Sequence, residues 1–384
     1  MFRSIAFATI VLSSMYISAS ASPILVDCNA GQTLTHALAK LDKVTPATVQ
    51  FTGTCTEFVL IDGFSNLTLR GTQGATIQQP STTPPASPVL VVSIKASRSV
   101  TLKGFTVQSL PSAFQSIGIG KGSTDVVVQG VNTAGSWGIE AYETSQVWLV
   151  NVNVDVTSGF AAVSAFDKSD VHIVGGTLHR AAVTGYRIGL FVGSGHVTVE
   201  GLKIRDFEEG MSIGSSGSVD LVNFQTTSAS SDVIIENPAG TNVYGAVVDG
   251  TASLNISSAR LLISNAGQPY GFNSSAIFVT NGSTLNAGAG LVITGSRGQG
   301  VMVSNNSHAE FEGASISGSG HGGLVVVNES TAGANLQTPL TSISGNATDL
   351  FCDSSSRITG ASYIANTTVV QCNSVIPGLY ESLP

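Results

Sequence analysis

Short segments of alternating apolar and polar residues recur along most of the chain, and six of them have a valine at the same leading position. These leading valines are separated by 26, 21, 24, 26 and 22 residues, and they are Val100, Val126, Val147, Val171, Val197 and Val219. Each segment continues through a Gly or Asn turn, a second short strand, a variable loop and a third strand that opens with a small residue. The pattern therefore predicts a repeat of about 22 residues with three strands per copy.

Alternation with a period of two is typical of β-strands rather than helices. The turns between the strands are too short for crossover helices, and a propeller blade needs about 40 residues per repeat. One repeat cannot bury its apolar face alone, so successive copies must stack on one another. We therefore predict an all-β fold, a right-handed parallel β-helix of about 11–12 turns in which equivalent positions stack ~4.8 Å apart.

The two ends of the chain carry different signals. Residues 33–44 have the spacing of an amphipathic helix, which would cover the open apolar end of the first turn. The four cysteines form one pair near each end, and although they allow three pairings, their separation favours the local one. The expected disulfides are Cys28–Cys55 and Cys352–Cys372.

Residues 1–21 resemble a secretory signal, with Arg3, an apolar stretch and a small-residue cleavage site. The remaining residues, 22–384, are predicted to form one β-helix domain, with an N-terminal cap at 22–60, turns at 61–350 and a disulfide-clamped end at 351–384. We expect the protein to be secreted, either extracellular or periplasmic, because paired cysteines are typical of oxidising compartments.

Only 10% of the residues are charged, and the net charge is −8. No basic stripe is present, so nucleic acid is not an expected partner. No apolar run beyond the first 25 residues is long enough to span a bilayer, so no membrane anchor is expected. No clustered acidic loop or Cys/His pattern indicates a metal, and no cofactor is predicted. The oligomeric state stays open.

The chain resembles the pectin lyase-like superfamily and, within it, the bacterial right-handed β-helix repeat proteins. The resemblance depends on the opening Cys28…Gly53-Thr54-Cys55, on the first full turn at 66–71 and on the repeats described above, and it covers essentially the whole chain after residue 21. It implies the fold and a carbohydrate partner, but the superfamily includes lyases, hydrolases, esterases, epimerases and non-catalytic surface proteins. Of the family's catalytic motifs only an isolated Gly320-His321-Gly322 occurs, which is expected by chance in a chain with 43 glycines.

Titratable residues concentrate between 168 and 209, which hold ten charged residues and three of the six histidines. Counted from the leading valines, Asp155, His179 and Arg205 share one stacked position, and Val156, Arg180 and Asp206 share the next. The neighbouring loops contribute Tyr186, Arg187, Glu208 and Glu209.

Two reactions fit these residue types. Elimination or epimerisation at a uronate needs a base, such as His179 or Tyr186, and a cation, such as Arg180, Arg187 or Arg205. Inverting hydrolysis needs two carboxyls ~6.5–9.5 Å apart, for which Asp155 and Asp206 are candidates. The alternative is that these residues are solvated cross-strand pairs with a structural role only.

A second candidate region surrounds Glu140 and Tyr142, with Trp137 and Trp148 nearby in the sequence, and exposed aromatic rings beside carboxylates suit sugar binding. Two functions remain open. The protein is a secreted polysaccharide-binding β-helix, with or without activity as a lyase, epimerase or hydrolase on a uronate-containing or other glycan, or it is a non-catalytic extracellular or cell-surface module for structure or adhesion. In both cases the expected partner is a polysaccharide or cell-surface glycan. Eight Asn-x-Ser/Thr sequons also occur.

Overall fold

A computed structural model describes residues 22–81, 90–110, 115–135, 137–181, 186–223, 231–237, 243–267, 274–335, 340–367, 370–372 and 375–376. The predicted signal segment, 1–21, lies outside these residues. The chain is an all-β parallel β-solenoid of about 12 turns, as predicted, with almost no helix. Its strands form three parallel stacks, which we call sheet 1, sheet 2 and sheet 3 in the order in which each turn visits them.

Sheet 1 begins each repeat with the strand of the leading valine. Its strands are Ile24–Asp27, Ala47–Thr52, Leu67–Gly71, Thr101–Lys103, Val126–Gln129, Gln146–Val156, Asp170–Arg180, His196–Glu200, Ser218–Leu221, Ser253–Ile256, Thr284–Ala287, His308–Phe311, Thr331–Ala334, Arg357–Thr359 and Val375–Ile376. Gln146–Val156 and Asp170–Arg180 continue around the corner, so that their second halves belong to sheet 2.

Sheet 2 follows after a tight turn, and sheet 3 follows after the variable loop. The other strands of sheet 2 are Thr54–Thr56, Thr76–Gln78, Thr106–Gln108, Asn132–Gly135, Lys203–Arg205, Val233–Glu236, Leu261–Ser264, Leu291–Thr294, Ser315–Ser317, Thr341–Ser344 and Ile364–Ala365. The strands of sheet 3 are Val59–Asp62, Leu90–Lys95, Gln115–Gly120, Ile139–Ala141, Ala161–Ala165, Ile188–Gly193, Glu209–Gly214, Tyr244–Val248, Ser275–Val279, Gln299–Val303, Gly322–Val326, Thr348–Cys352 and Val370–Cys372.

The leading valines all face the interior and are at most 1% exposed, so the alternation in the sequence correctly identified the buried side of sheet 1. Sheets 2 and 3 approach each other closely, because sheet 3 has small residues at the start of its strands. A Cβ atom at Gly210 would lie 2.6 Å from Cγ2 of Ile235 on sheet 2, which explains the recurring glycine there.

The corner between sheet 3 and sheet 1 is built from two stacked columns. Asn281, Asn305 and Asn328 adopt left-handed backbone conformations, which Asn tolerates better than most residues. Two positions later, buried serines accept hydrogen bonds from the backbone of the preceding turn. The N–H of Ser283 donates to Oγ of Ser307 at 3.2 Å, and the N–H of Ser307 donates to Oγ of Ser330 at 3.2 Å.

The single α-helix of the described residues, Leu34–Ala39, is shorter than predicted and does not confirm a capping helix over 33–44. Thr33 caps its start by accepting from the N–H of His36. It ends early because Asp42 binds the N–H of Val44 and the hydroxyl of Thr45, which stabilises a turn instead. Two three-residue 3₁₀ helices, Cys28–Ala30 and Ala361–Tyr363, are the other helical segments described.

Both predicted disulfides, Cys28–Cys55 and Cys352–Cys372, are present, one at each end of the solenoid. None of the helices in the described ranges is long and apolar enough to cross a membrane.

Candidate functional site

The structure brings together the first group of predicted site residues, on the outer surface of sheet 2. Asp155 pairs with His179 in register, and His179 pairs with Arg205, as the valine spacing predicts. Nδ1 of His179 lies 2.8 Å from Oδ1 of Asp155, and its Nε2 lies 3.9 Å from Oδ2 of Asp206. Both ring nitrogens of the imidazole therefore face carboxylates from the turns on either side.

Arg205 is held by a partner that sequence reasoning missed. Its Nε lies 2.8 Å from Oε1 of Glu236, the next residue of the same column, and Nζ of Lys203 lies 2.8 Å from the same oxygen. Arg205 is thus already paired with the carboxylate of Glu236, which competes with its predicted role of neutralising a uronate.

Arg180 differs most from its predicted role. It pairs with Val156 in register, as predicted, but its side chain points inward and is only 2% exposed. Its NH1 lies 2.5 Å from Oε1 of Glu208, whose side chain is 13% exposed, and 3.4 Å from the carbonyl oxygen of Asp206. This buried ion pair ties the end of one turn to the loop of the next.

These contacts limit the chemistry of the sheet 2 column. The imidazole of His179 lies between Asp155 and Asp206, which is the space that an attacking water needs in inverting hydrolysis. His179 contacts Asp155, and Lys203 and Arg205 share Glu236, which is the arrangement expected of cross-strand stabilisation.

The second predicted region lies on the outer surface of sheet 3 and has a different character. Glu140 is half-buried and accepts a hydrogen bond from Nε2 of Gln115. Burial raises the pKa of Glu140 to about 7, and the negative charge of Asp167 adds to this effect. Burial also raises the pKa of Tyr142, with contributions from Glu143 and Glu140. Glu140 is therefore partly protonated near neutral pH, which no sequence pattern indicated.

Four aromatic side chains, which we call the aromatic cluster, lie beside Glu140: Trp137, Phe160, Phe166 and Phe191. The ring centroids of Trp137 and Phe160 are 5.6 Å apart, and Phe191 lies 5.1 Å from both Phe160 and Phe166. Trp137 folds over Gly159, where any side chain would collide with the indole ring. Glu140, Ser164 and Phe191 occupy successive positions of one column, so the cluster and the carboxyl share a surface.

Tyr186 and Glu209 form the other side of this surface. The hydroxyl of Tyr186 donates a hydrogen bond to Oε1 of Glu209, and the two residues come from adjacent turns. Burial raises the pKa of Glu209, although its hydrogen bonds with Tyr186 and Ser212 oppose the shift. Burial and Glu209 together raise the pKa of Tyr186, which makes it unsuited to the predicted role of base. Arg187 is anchored by its backbone N–H to Oε2 of Glu208 and by NH1 to the carbonyl oxygen of Tyr186.

Sequence reasoning grouped the two tryptophans, but the structure separates them. Trp148 lies on sheet 1, where its ring stacks on His172 at 4.1 Å, and only Trp137 belongs to the sheet 3 surface. The phenylalanines of the aromatic cluster were not predicted. Phe160 belongs to a variable loop and Phe166 to a turn, where strand alternation does not report which surface a side chain reaches.

A further chain of polar residues on sheet 1 was also missed. Nδ1 of His196 lies 2.9 Å from Oδ1 of Asp170, and its Nε2 lies 3.0 Å from Oδ2 of Asp220. Burial opposes protonation, but the hydrogen bonds with Asp220 and Asp170 outweigh it and raise the pKa of His196. The sequence could have predicted this chain, because Asp170 and His196 directly precede leading valines and Asp220 directly follows one.

Among the residues that the structure describes, only Cys28, Cys55 and Glu57 converge closely enough to resemble a metal site. The two sulfurs are joined in a disulfide, and Glu57 accepts hydrogen bonds from the N–H groups of Leu34 and Thr35 at the start of the helix. These three residues are therefore structural.

Comparison with known proteins yields no matching family model and no matching curated protein. Among solved structures, the chain is similar to the Streptococcus pneumoniae surface protein and adhesin PfbA, with 12% identity over 86% of this chain and 89% of that one, at a TM-score of 0.43. It is similar to the catalytic domain of a GH87 α-1,3-glucanase, with 14% identity over 91% and 69% of the two chains, at a TM-score of 0.40. It is also similar to a family 28 exopolygalacturonase of Yersinia enterocolitica, with 13% identity over 95% and 80% of the two chains, at a TM-score of 0.31. The parallel β-helix fold that the sequence resemblance implies is the fold of this chain.

Proposed function

We propose that this protein binds a polysaccharide on the outer surface of sheet 3, between Glu140 and Glu209. The aromatic cluster carries this proposal. Four aromatic rings, each in contact with at least one other, share this surface with the half-buried carboxyl of Glu140 and offer flat apolar surface together with hydrogen-bonding groups, the combination typical of sites for small polar ligands. Ser212 adds a partly exposed hydroxyl in the column of Glu140 and Phe191.

The charge of this surface favours a neutral glycan. The net charge of the chain is −8, and Glu140, Glu209 and Asp167 contribute to the electrostatics here. Arg180 is engaged with Glu208 inside the fold and cannot face a uronate without leaving its partner. A polyanionic chain would therefore be repelled at neutral pH.

A catalytic variant of the same proposal depends on Glu140. A carboxyl with a pKa of about 7 can donate a proton to a leaving oxygen at neutral pH, as general acids in glycosidases do. Binding without catalysis, as expected of an extracellular or cell-surface module, needs only the aromatic cluster.

The organisation of the chain is part of the proposal. We infer that residues 1–21 direct export, that 22–384 form one right-handed β-helix domain, and that helix Leu34–Ala39 covers its N-terminal end. Two disulfides support an oxidising, extracellular or periplasmic location. Leu34 and Leu38 of the helix are buried, which supports a covering role.

The two tryptophans provide a matched test of the binding surface. Trp137→Ala should reduce affinity for the bound glycan by about tenfold or more, because truncating a central aromatic anchor commonly costs over 1 kcal/mol. Trp148→Ala removes the same side chain from sheet 1 and should leave affinity unchanged. Soluble β-1,3-glucan, xylan, α-1,3-glucan and polygalacturonate are suitable probes, measured by calorimetry. Equal losses in both variants, or no binding to any of the four, would refute the proposal.

Turnover of the same four polysaccharides separates binding from catalysis. Release of reducing ends that is lost in Glu140→Gln, while affinity is kept, would establish Glu140 as a general acid. Absence of both reducing ends and unsaturated uronate absorbance, with affinity intact, would establish a binding module.

A further inference from the structure

A pocket of about 250 Å³ lies on sheet 3 near the C-terminal end of the solenoid, well away from the aromatic cluster. Phe351, which is 36% exposed, forms one side of it. His321, Thr348 and Gln371 bring polar groups to the same pocket. Its size is just below the ~300 Å³ at which pockets for drug-sized ligands begin, so it fits a single small ring.

One wall of the pocket is fixed by close packing around Gly322. Oε1 of Gln299 accepts a hydrogen bond from the N–H of Gly322, which holds the amide side chain of Gln299 at the pocket. A Cβ atom at Gly322 would collide with Cγ2 of Val325 and would lie 2.7 Å from Oε1 of Gln299, so only glycine fits between these two side chains. Gly322 pairs in register with Thr348, which also lines the pocket. The wall is therefore a formed feature rather than loose packing.

The lining has no carboxylate, lysine or arginine among its described residues. It combines a phenyl ring with two amides, a hydroxyl and an imidazole. This set can pack against the flat face of a sugar ring and exchange hydrogen bonds with its hydroxyls, whereas it offers nothing to balance a carboxylate or a phosphate.

The pocket is also aligned with the aromatic cluster. Phe191, Phe278 and Phe351 occupy the same outward column of sheet 3. Phe278 lies three turns after Phe191, and Phe351 lies three turns after Phe278. Between Phe191 and Phe351 this column carries only uncharged residues: Ser212, Val247, Phe278, Met302 and Val325. At ~4.8 Å per turn, the distance from Phe191 to Phe351 is about 29 Å.

We propose that this pocket is a second binding site, which holds one neutral sugar residue of the polysaccharide that the aromatic cluster binds. The inference rests on the proposed function, because it assigns the same glycan to both sites. A chain long enough to span the column binds at both ends and gains affinity by avidity, whereas a trisaccharide occupies either site independently.

Stoichiometry tests the proposal directly. Calorimetry with trisaccharides of β-1,3-glucan, xylan and α-1,3-glucan should give two sites per wild-type molecule with the trisaccharide that binds. Phe351→Ala and Gln371→Ala should each reduce the number to one, and Phe351→Ala should weaken binding of the full polysaccharide by about tenfold. Leu60→Ala is the matched control, since Leu60 is 54% exposed in the same outward column at the opposite end of sheet 3. It should retain two sites.

The outcomes distinguish the two proposals. One site in the wild type that Trp137→Ala removes and that Phe351→Ala and Gln371→Ala both leave intact would overturn the second site and leave the proposed function in place. A single site lost in Phe351→Ala but kept in Trp137→Ala would support the pocket and overturn the proposed function. Thermal unfolding of each variant shows that the loss of a site is not a loss of fold.

Discussion

The central turns, residues 146–236, and the C-terminal turns, residues 249–356, stack with the same geometry but decorate their outer surfaces differently. The central turns join neighbours through ionisable pairs such as His179 with Asp155 and Arg205 with Glu236. The C-terminal turns carry a chain of neutral amides at the corner between sheets 3 and 1, in which Asn328 donates to Asn305 at 3.1 Å and Asn305 donates to Asn281 at 3.3 Å. Both arrangements satisfy a spacing of ~4.8 Å, so neighbouring turns can be joined with or without charged side chains.

Amide chains can stabilise the stacked turns without titrating, whereas ionisable pairs also bring groups that can take part in acid–base chemistry. Amide chains give the same bonds at any pH near neutral, whereas histidine–aspartate chains respond to protons. The pKa values of His196 and Glu209 are raised in the central turns, and that of Glu140 is raised in the turn just before them. Four variants, two in each region, should show this contrast.

The largest effect is expected at the buried ion pair of the central turns. Arg180→Met leaves the carboxylate of Glu208 buried without its cation and should lower the free energy of unfolding by about 3–5 kcal/mol. The double variant Arg180→Met/Glu208→Leu should recover most of this loss, since neither charge remains. Urea unfolding measures both, and a single-variant loss below about 1 kcal/mol would contradict the buried pair.

A smaller effect is expected at the serine column of the C-terminal turns. Ser307→Ala removes the acceptor for the N–H of Ser283 inside the corner and should cost about 1–3 kcal/mol. Hydrogen exchange at the Ser283 amide should accelerate in this variant. Unchanged protection of that amide would show that the hydroxyl is not its partner.

The amide chain on the outer surface should contribute less again. Asn305→Gly breaks the hydrogen bonds to Asn281 and from Asn328 without straining the left-handed backbone at this position, and these groups are exposed to water, so the loss should be about 0.5–1.5 kcal/mol. Because amides do not titrate, the loss should be the same at pH 5.5 and pH 8. A loss that changes between these two values would mean that titrating neighbours are involved.

The smallest effect should depend on pH. The pKa of His196 is raised above 6.5 in the folded state, so its contribution to stability is present below that pH and is lost as pH rises through the folded pKa. His196→Gln should therefore be destabilising at pH 5.5 and nearly neutral at pH 8, in contrast to Asn305→Gly. The charged groups that contact His196 are Asp170 and Asp220, and His172 lies 3.4 Å from Asp170. A pH-independent loss would show that the two carboxylates do not set this pKa.

Much of the fold was predictable because strand alternation and a stacked repeat impose few alternatives. The valine spacing placed Asp155, His179 and Arg205 in one column, and the structure has that register. Arg180 lies on the buried side of its strand, two positions after buried Leu178, whereas the sequence predicted it as a cation for a uronate. The pairing of Arg180 with Glu208 inside the fold depends on a loop contact that no local pattern encodes.

The candidate site on sheet 3 was less predictable for a related reason. Glu140 and Tyr142 were identified, but the pKa of Glu140 depends on burial by neighbours from other turns. Trp137 and Phe160 reach this surface from the loops between sheets 2 and 3, whose conformations are not fixed by a repeating pattern. Tertiary packing, rather than local sequence, therefore creates the environment of the site.

The serine column of the corner also makes the two ends of the solenoid unequal in their hydrogen bonding. In each step the backbone N–H of one turn donates to the hydroxyl of the turn after it, and the last such acceptor described is Ser356, which serves Ser330. Removing a turn at the C-terminal end leaves the corner amide of the new last turn without its hydroxyl acceptor, whereas removing one at the N-terminal end frees a hydroxyl that can rotate toward water. The bond between Cys352 and Cys372 ties the turn of Ser356 to the next, and Cys28–Cys55 links the first turns, so a covalent bond opposes fraying at both unequal ends.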